Sequence, residues 1–274
     1  MQPCSPNKTQ VTEFVMLGFA GNLAILLVVC VDYWLWRPMY FFLTHLSCLE
    51  IWYTSVTVPK MLAGFIGADG GKSISYAGCL SQIFLFTFLG APECFLLAAM
   101  AYDRYVAICV PLRYGSLVSW GTCFCLAAAC WLLGFLTPIL PVYLMSQLTF
   151  CGPNIVDHFF CDETVDFLVS LAVLLISLTV IAVSYGNIVW TLLHIQPAAF
   201  STCAAHLTIV GLFYGTLFFM YVRTKVASSI NFNKVVSVFY SVVTPMFNPL
   251  IYSLQNKEVK QSLGLTFSLR FWRG

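Results

Sequence analysis

Few residues in this chain can do chemistry, and they fall in two groups. The stretch Met100-Ala-Tyr-Asp-Arg-Tyr-Val-Ala-Ile-Cys109 brings Asp103 and Arg104 together at the end of an apolar run. Charge near the middle of a bilayer is costly, so the pair suits a cytosolic edge, where it can open and close as a latch. The plainer alternative is a neutralised ion pair at a helix end. The second group is buried in apolar sequence: Glu50 and Glu93, with Asn22 and Asn248 at a similar depth and the Ser47 hydroxyl as a neighbour. Glu50 lies about ten residues into its run, ~15 Å from the cytosolic end at 1.5 Å per residue. Two carboxylates with amide and hydroxyl neighbours could hold a small cation such as Na⁺ through oxygen ligands. Alternatively, one or both carboxyls carry a proton and are merely hydrogen-bonded. His206, early in a later apolar run, fits a helix-to-helix hydrogen bond better than a ligand role. No Ser–His or paired-Asp set shares one depth, so the sequence is not read as an enzyme. The twelve cysteines lack zinc or redox spacing, and most should pack as small hydrophobes. No tightly bound cofactor is implied beyond that Na⁺.

The elements that position these groups follow from composition. The chain has 274 residues, 60% of them hydrophobic and 9% charged. Soluble domains carry about 25% charged residues. A net charge of +2 is too small to point to a nucleic-acid partner. Seven apolar runs have spanning length: 14–31, 39–65, 77 to about 102, 123–145, 167–193, 201–222 and 235–254. Short connections make neighbours antiparallel, so the expected fold is all-α: a seven-transmembrane helix bundle forming one domain over 1–274. No cleavable signal peptide is evident. The Asn7-Lys8-Thr9 sequon puts the N-terminus (1–13) outside, with Asn7 as a glycosylation site. Basic residues then divide seven inside to six outside, a slight positive-inside bias. Residues 255–274 form a cytoplasmic tail, in which Val259 and Leu263 alternate with Lys257 and Lys260 as in a short helix on the lipid surface. Pro245 and Pro249 kink the seventh run around Asn248. On the outer side, Cys79 can pair with Cys151 or Cys161; Cys161 is preferred, and spacing leaves the connectivity open.

The chain resembles an olfactory (odorant) receptor, a rhodopsin-like G-protein-coupled receptor. The matching residues are Gly21-Asn22, Pro38-Met-Tyr-Phe-Phe-Leu43, Leu46-Ser47, Met100 to Cys109 and Pro111-Leu-Arg-Tyr114. They continue with His158-Phe-Phe-Cys161, Ser184-Tyr185, Phe200-Ser-Thr-Cys203, His206-Leu207, Phe213-Tyr-Gly215 and Pro245-Met-Phe-Asn-Pro-Leu-Ile-Tyr252. They run through almost the whole chain in family order. The resemblance implies that Asp103, Arg104 and Tyr105 lie at the G-protein face, with Tyr185 and Tyr252 completing the activation switch. It implies a sodium-type cavity at Glu50, Glu93 and Asn248, and Tyr214 as a toggle beneath the odorant pocket. Phe86, Thr87, Gly90, Ala91, Leu217, Phe218, Tyr221 and Ser241 match pocket-lining positions. Such a lining is apolar with a few hydroxyls, suited to a small volatile molecule. Phe86 stands where amine receptors carry an acid, which excludes an amine salt bridge there. The implied partners are a small volatile odorant, a heterotrimeric stimulatory G protein and membrane lipid, and the implied location is the plasma membrane, crossed several times.

The chain is shorter than the family pattern in three places. The first span, 14–31, is at the lower limit for crossing ~30 Å of hydrocarbon. The loop after Cys161 lacks a further cysteine, so Cys151 loses its expected partner. The third inner loop reads His194-Ile-Gln-Pro-Ala-Ala, without the family's basic cluster. The expected function is odorant-driven activation of a stimulatory, olfactory-type G protein. The alternative is a receptor-like protein that folds but does not signal. A transporter is disfavoured because no inverted repeat or matched pair of broken spans is found.

Overall fold

The computed structural model describes residues 8–66, 75–147, 164–194 and 206–218. These are helical throughout apart from short turns, and no strand occurs among them. They cover the first five spans and part of the sixth. The seventh span, the tail, and the positions of Asn7, Cys151, Cys161, Tyr221, Ser241, Asn248 and Tyr252 lie outside the described residues.

The first helix runs from Lys8 to Val31. It is six residues longer than the apolar run at Phe14 suggested. Its 24 residues make about 36 Å, which is long enough to cross the hydrocarbon. The extra turns carry Lys8, Gln10 and Glu13, so they extend the helix without extending its apolar stretch. A 3₁₀ turn at Tyr33–Leu35 leads to the second helix, Pro38–Ile66, with proline at the position where a missing N–H costs least.

The third helix, Tyr76–Cys109, is the axis of the bundle. Ser75 caps it by accepting a bond from the Gly78 N–H at 3.1 Å. Its 34 residues span about 51 Å. That exceeds the bilayer core, so the helix continues past the apolar run and carries Asp103 and Arg104 within its last two turns. Packing explains its central place. It contacts the second, fourth and fifth spans, while the first span packs on the second. Of its most apolar window 67% is buried, against 28% and 22% in the fourth and fifth spans, whose outer faces are left for lipid. Among the described residues these three helices are long and apolar enough to cross a membrane.

The fourth span is two helices, Trp120–Leu136 and Ile139–Ser146, broken at Thr137-Pro138. Pro138 has no N–H to give to the Gly134 carbonyl four residues back, so the ladder stops there. Ser119 caps its start, accepting from Thr122 N at 3.2 Å. Side chains lock this span in place. Trp131 Nε1 donates to His45 Nδ1 of the second span at 3.1 Å, and its ring lies 5.9 Å from Trp52 and 6.2 Å from Phe88. Gly134 meets Pro92 of the third helix so closely that an added Cβ would fall 2.5 Å from Pro92 Cδ and nearer still to Cγ. At the outer end Tyr76 O–H donates to the Met145 carbonyl at 3.1 Å. The fifth span is Thr164–His194, tied to the inner end of the third by Thr191 Oγ1 donating to Cys109 Sγ at 3.2 Å. The described part of the sixth is His206–Phe218.

Candidate functional site: a cavity and the contacts beneath it

The buried stripe of the sixth span is His206, Ile209, Val210, Phe213 and Leu217, a helical spacing that turns one face inward. Leu217 of this stripe closes a cavity of about 40 Å³ against the third, fourth and fifth spans. One water needs about 10–15 Å³ on such a measure, so the space suits a small molecule only. Phe86, Thr87, Gly90, Ala91 and Cys94 line it from the third helix, Thr137 from the break in the fourth, and Ser170, Val173 and Leu174 from the fifth. Phe86 is held from behind by Tyr53, with ring centres 5.7 Å apart.

Five sequence-expected lining residues therefore meet here: Phe86, Thr87, Gly90, Ala91 and Leu217. Phe218 does not join them. It is 69% exposed, because it sits one residue past the buried stripe and adjacent helix positions do not face the same way. Tyr221 and Ser241 lie outside the described residues. Cys94, Thr137, Ser170, Val173 and Leu174 were not anticipated. The helix break at Pro138 is the one sequence signal that could have pointed to Thr137.

Tyr214 stands beside this cavity rather than in its lining. Its O–H donates to Ser177 Oγ at 2.7 Å, and Ser177 in turn donates to the Val173 carbonyl at 2.7 Å. Val173 is itself part of the cavity wall. The Cys94 thiol also lies against Ser177 and Tyr214. A rotation of the sixth span at this level must therefore stretch a bond whose acceptor is anchored to the cavity wall.

About two turns before Tyr214 in the same span, His206 meets Tyr185 of the fifth span. The Tyr185 hydroxyl and His206 Nδ1 are 2.6 Å apart, and the rings stack at 5.6 Å. Both residues are buried. The expected helix-to-helix hydrogen bond of His206 is thus present, and it falls on a residue of the expected switch.

At the end of the third helix, Arg104 Nη2 donates to Asp103 Oδ2 at 3.2 Å. The other carboxylate oxygen is taken by Tyr114, whose O–H donates to Oδ1 at 2.8 Å. Tyr114 sits on the turn after the 3₁₀ segment Pro111–Arg113, so the connection between the third and fourth spans grips the ion pair directly. Burial first, and then the Asp103 charge, push the Tyr114 phenol well above its usual pKa, which keeps it a neutral donor. Asp103 is 1% exposed and Arg104 17%, and the guanidinium Nε has no hydrogen-bond partner among the described residues. The adjacent-residue ion pair therefore leaves part of the guanidinium uncommitted. Tyr105 is half-buried against the core, its ring 6.4 Å from Tyr102.

Glu50 and Glu93 are both buried, on neighbouring helices, as are Asn22 and Ser47. Glu93 Oε1 has no hydrogen-bond partner among the described residues. An uncommitted carboxylate oxygen fits a hard cation such as Na⁺, which takes oxygen ligands. Among the described residues no three His, Cys, Asp or Glu side chains come together as a metal site. Cys79, at the outer end of the third helix, is disulfide-bonded. The other described cysteines are free, so its partner lies outside the described residues.

Comparison with known proteins gives the family. The family model described as olfactory receptor matches residues 12–268. The human protein "Olfactory receptor 6Q1" is 72% identical over 316 aligned positions, covering 100% of each chain. The human "Olfactory receptor 6B1" is 43% identical, over 94% of this chain and 95% of its own. The mouse "Olfactory receptor 6B9" is 44% identical over 96% of both. The first of these alignments has 316 positions and this chain 274 residues, so 42 positions of the relative have no counterpart here. With a family match over nearly its whole length, the chain belongs to the olfactory receptor family: it is a seven-transmembrane G-protein-coupled receptor, and not an enzyme.

Proposed function

We propose that this receptor binds a small volatile odorant in the cavity of the third to sixth spans and activates a heterotrimeric stimulatory G protein at the plasma membrane. One observation carries the proposal: Tyr214 is hydrogen-bonded to Ser177, which is bonded in turn to the cavity-wall residue Val173. A ligand that fills the cavity presses on Val173, Leu174 and Leu217 and so favours a different setting of the sixth span. It acts by population shift, stabilising whichever arrangement it contacts better. Lower down, the same movement separates His206 from Tyr185, which frees the phenol. Arg104, released from Asp103, then becomes available to a G protein. Tyr252 completes the switch from the seventh span.

In the same proposal, Glu50, Glu93 and Asn248 would hold Na⁺, which would supply positive charge between buried carboxylates and tie their helices together. Asn7 is glycosylated on the outer face, Cys161 is the partner of Cys79, and the N-terminus is outside. The test is cAMP accumulation in cells that display the chain at their surface, challenged with a broad odorant panel. A dose-dependent rise, abolished by Arg104→Ala, is expected; silence from a folded, surface-displayed receptor that still binds odorants would refute signalling.

A second function is favoured by the 42 positions that the chain lacks relative to the human 6Q1 receptor. It is a receptor that folds and binds ligand but does not signal. Ligand-dependent thermal stabilisation without cAMP would identify it.

A further inference from the structure

The cavity carries a chemical preference beyond being small. Among the described residues its lining contains no Asp, Glu, Lys, Arg or His. A charged ligand would leave water for a site with no counter-ion, which is unfavourable. The described lining therefore offers a carboxylate or an ammonium ion no partner charge. What the described lining does offer is three hydroxyls from three different spans: Thr87, Thr137 and Ser170. They are not equivalent. Thr137 Oγ1 already donates its proton to the Leu133 carbonyl at 2.7 Å. Toward a ligand it can therefore act only as an acceptor. Ser170 makes no hydrogen bond among the described residues, so both its proton and its lone pairs are available. A ligand oxygen that both donates and accepts can satisfy Thr137 and Ser170 together. A carbonyl or ether oxygen only accepts and leaves Thr137 unanswered.

We infer that the ligand class of this receptor is the compact monofunctional alcohol, its O–H donating to Thr137 and its oxygen accepting from Ser170, with the hydrocarbon against Phe86, Ala91, Val173 and Leu217. The inference rests on the odorant-binding function proposed above and specifies it. Gly134 is the positioning residue. Its contact with Pro92 lets the fourth span approach the third closely enough for Thr137, one turn further on, to reach the cavity.

The test uses the full chain purified in detergent, with ligand-induced thermal stabilisation as the binding readout. Probes are the linear alcohols from butanol to octanol and cyclohexanol, each with its methyl ether, its aldehyde or ketone, and the carboxylic acid and amine of the same skeleton. At least one alcohol should bind about tenfold or more tightly than its ether and carbonyl partners, the value of one satisfied buried hydrogen bond. Thr137→Val should erase that preference and Thr137→Ser restore it. Ser170→Ala should weaken alcohols and carbonyl compounds alike. Each variant's ligand-free melting curve reports whether it has folded. Equal or better binding of acids, amines or ethers would overturn the alcohol inference while leaving odorant binding intact. Retention of the preference in a folded Thr137→Val protein would overturn the role of Thr137. If no volatile of any class stabilises the receptor, both the inference and the odorant-binding function fall.

Discussion

Replacing Gly134 by alanine adds a single methyl group at the tightest helix contact described in the bundle. That Cβ would sit 2.5 Å from Pro92 Cδ and 3.2 Å from Pro92 N, with Cγ nearer still. Ordinary contact begins at 3.4 Å, so the fourth span must retreat from the third by at least about 1 Å. Neither side yields easily. The obstacle is a closed ring and a backbone nitrogen, and Ala91, Glu93 and Cys94 beside it are buried. Overpacking of this kind costs about 1–3 kcal/mol. A cost of ~2 kcal/mol lowers a melting midpoint by about 4–8 °C for a chain near this size. Gly186 of the fifth span supplies the control, because an added Cβ there meets nothing within 4 Å. Gly186→Ala should be neutral or raise stability by up to ~1 kcal/mol through helix propensity. The assay is heating of the detergent-solubilised, fluorescently tagged receptor followed by size-exclusion detection of the folded peak. A midpoint for Gly134→Ala equal to that of wild type and of Gly186→Ala would refute the close third-to-fourth packing, and with it the placement of Thr137.

Two further outcomes follow from the buried polar groups. Tyr114→Phe removes the donor to Asp103 Oδ1 and leaves that oxygen to compete for Arg104; it should change ligand-free cAMP output at least twofold, roughly the ~0.5–1.5 kcal/mol of one hydrogen bond, measured at matched surface expression. Glu93→Gln keeps the shape and removes the charge: stabilisation by NaCl over choline chloride should be seen in wild type and lost in the variant, and its absence in wild type would remove Na⁺ from the proposal.

Much of the architecture is written in local pattern. An apolar stretch of spanning length has few alternatives to a membrane helix, because backbone polar groups in lipid must bond within their own segment. The seven-span class, the ion pair of Asp103 with Arg104, and the buried state of Glu50 and Glu93 follow from residue type and position along one helix. So does the partnership of His206, since a lone buried imidazole needs a neighbour.

Other features depend on which helix crosses which, and at what angle, and no single segment encodes that. The first helix begins at Lys8 rather than Phe14, because backbone bonding continues after apolarity ends. Phe218 points out while Leu217 points in, a difference of one residue that only the placement of the sixth span decides. Tyr114 reaches Asp103 across eleven residues because the inner loop folds back under the third helix. Thr137 joins the cavity through a proline break and a glycine–proline contact between two spans. The sequence by itself determined the family and the spans. The tertiary structure decided which hydroxyls line the cavity, because a cavity belongs to the gap between helices and to none of them alone.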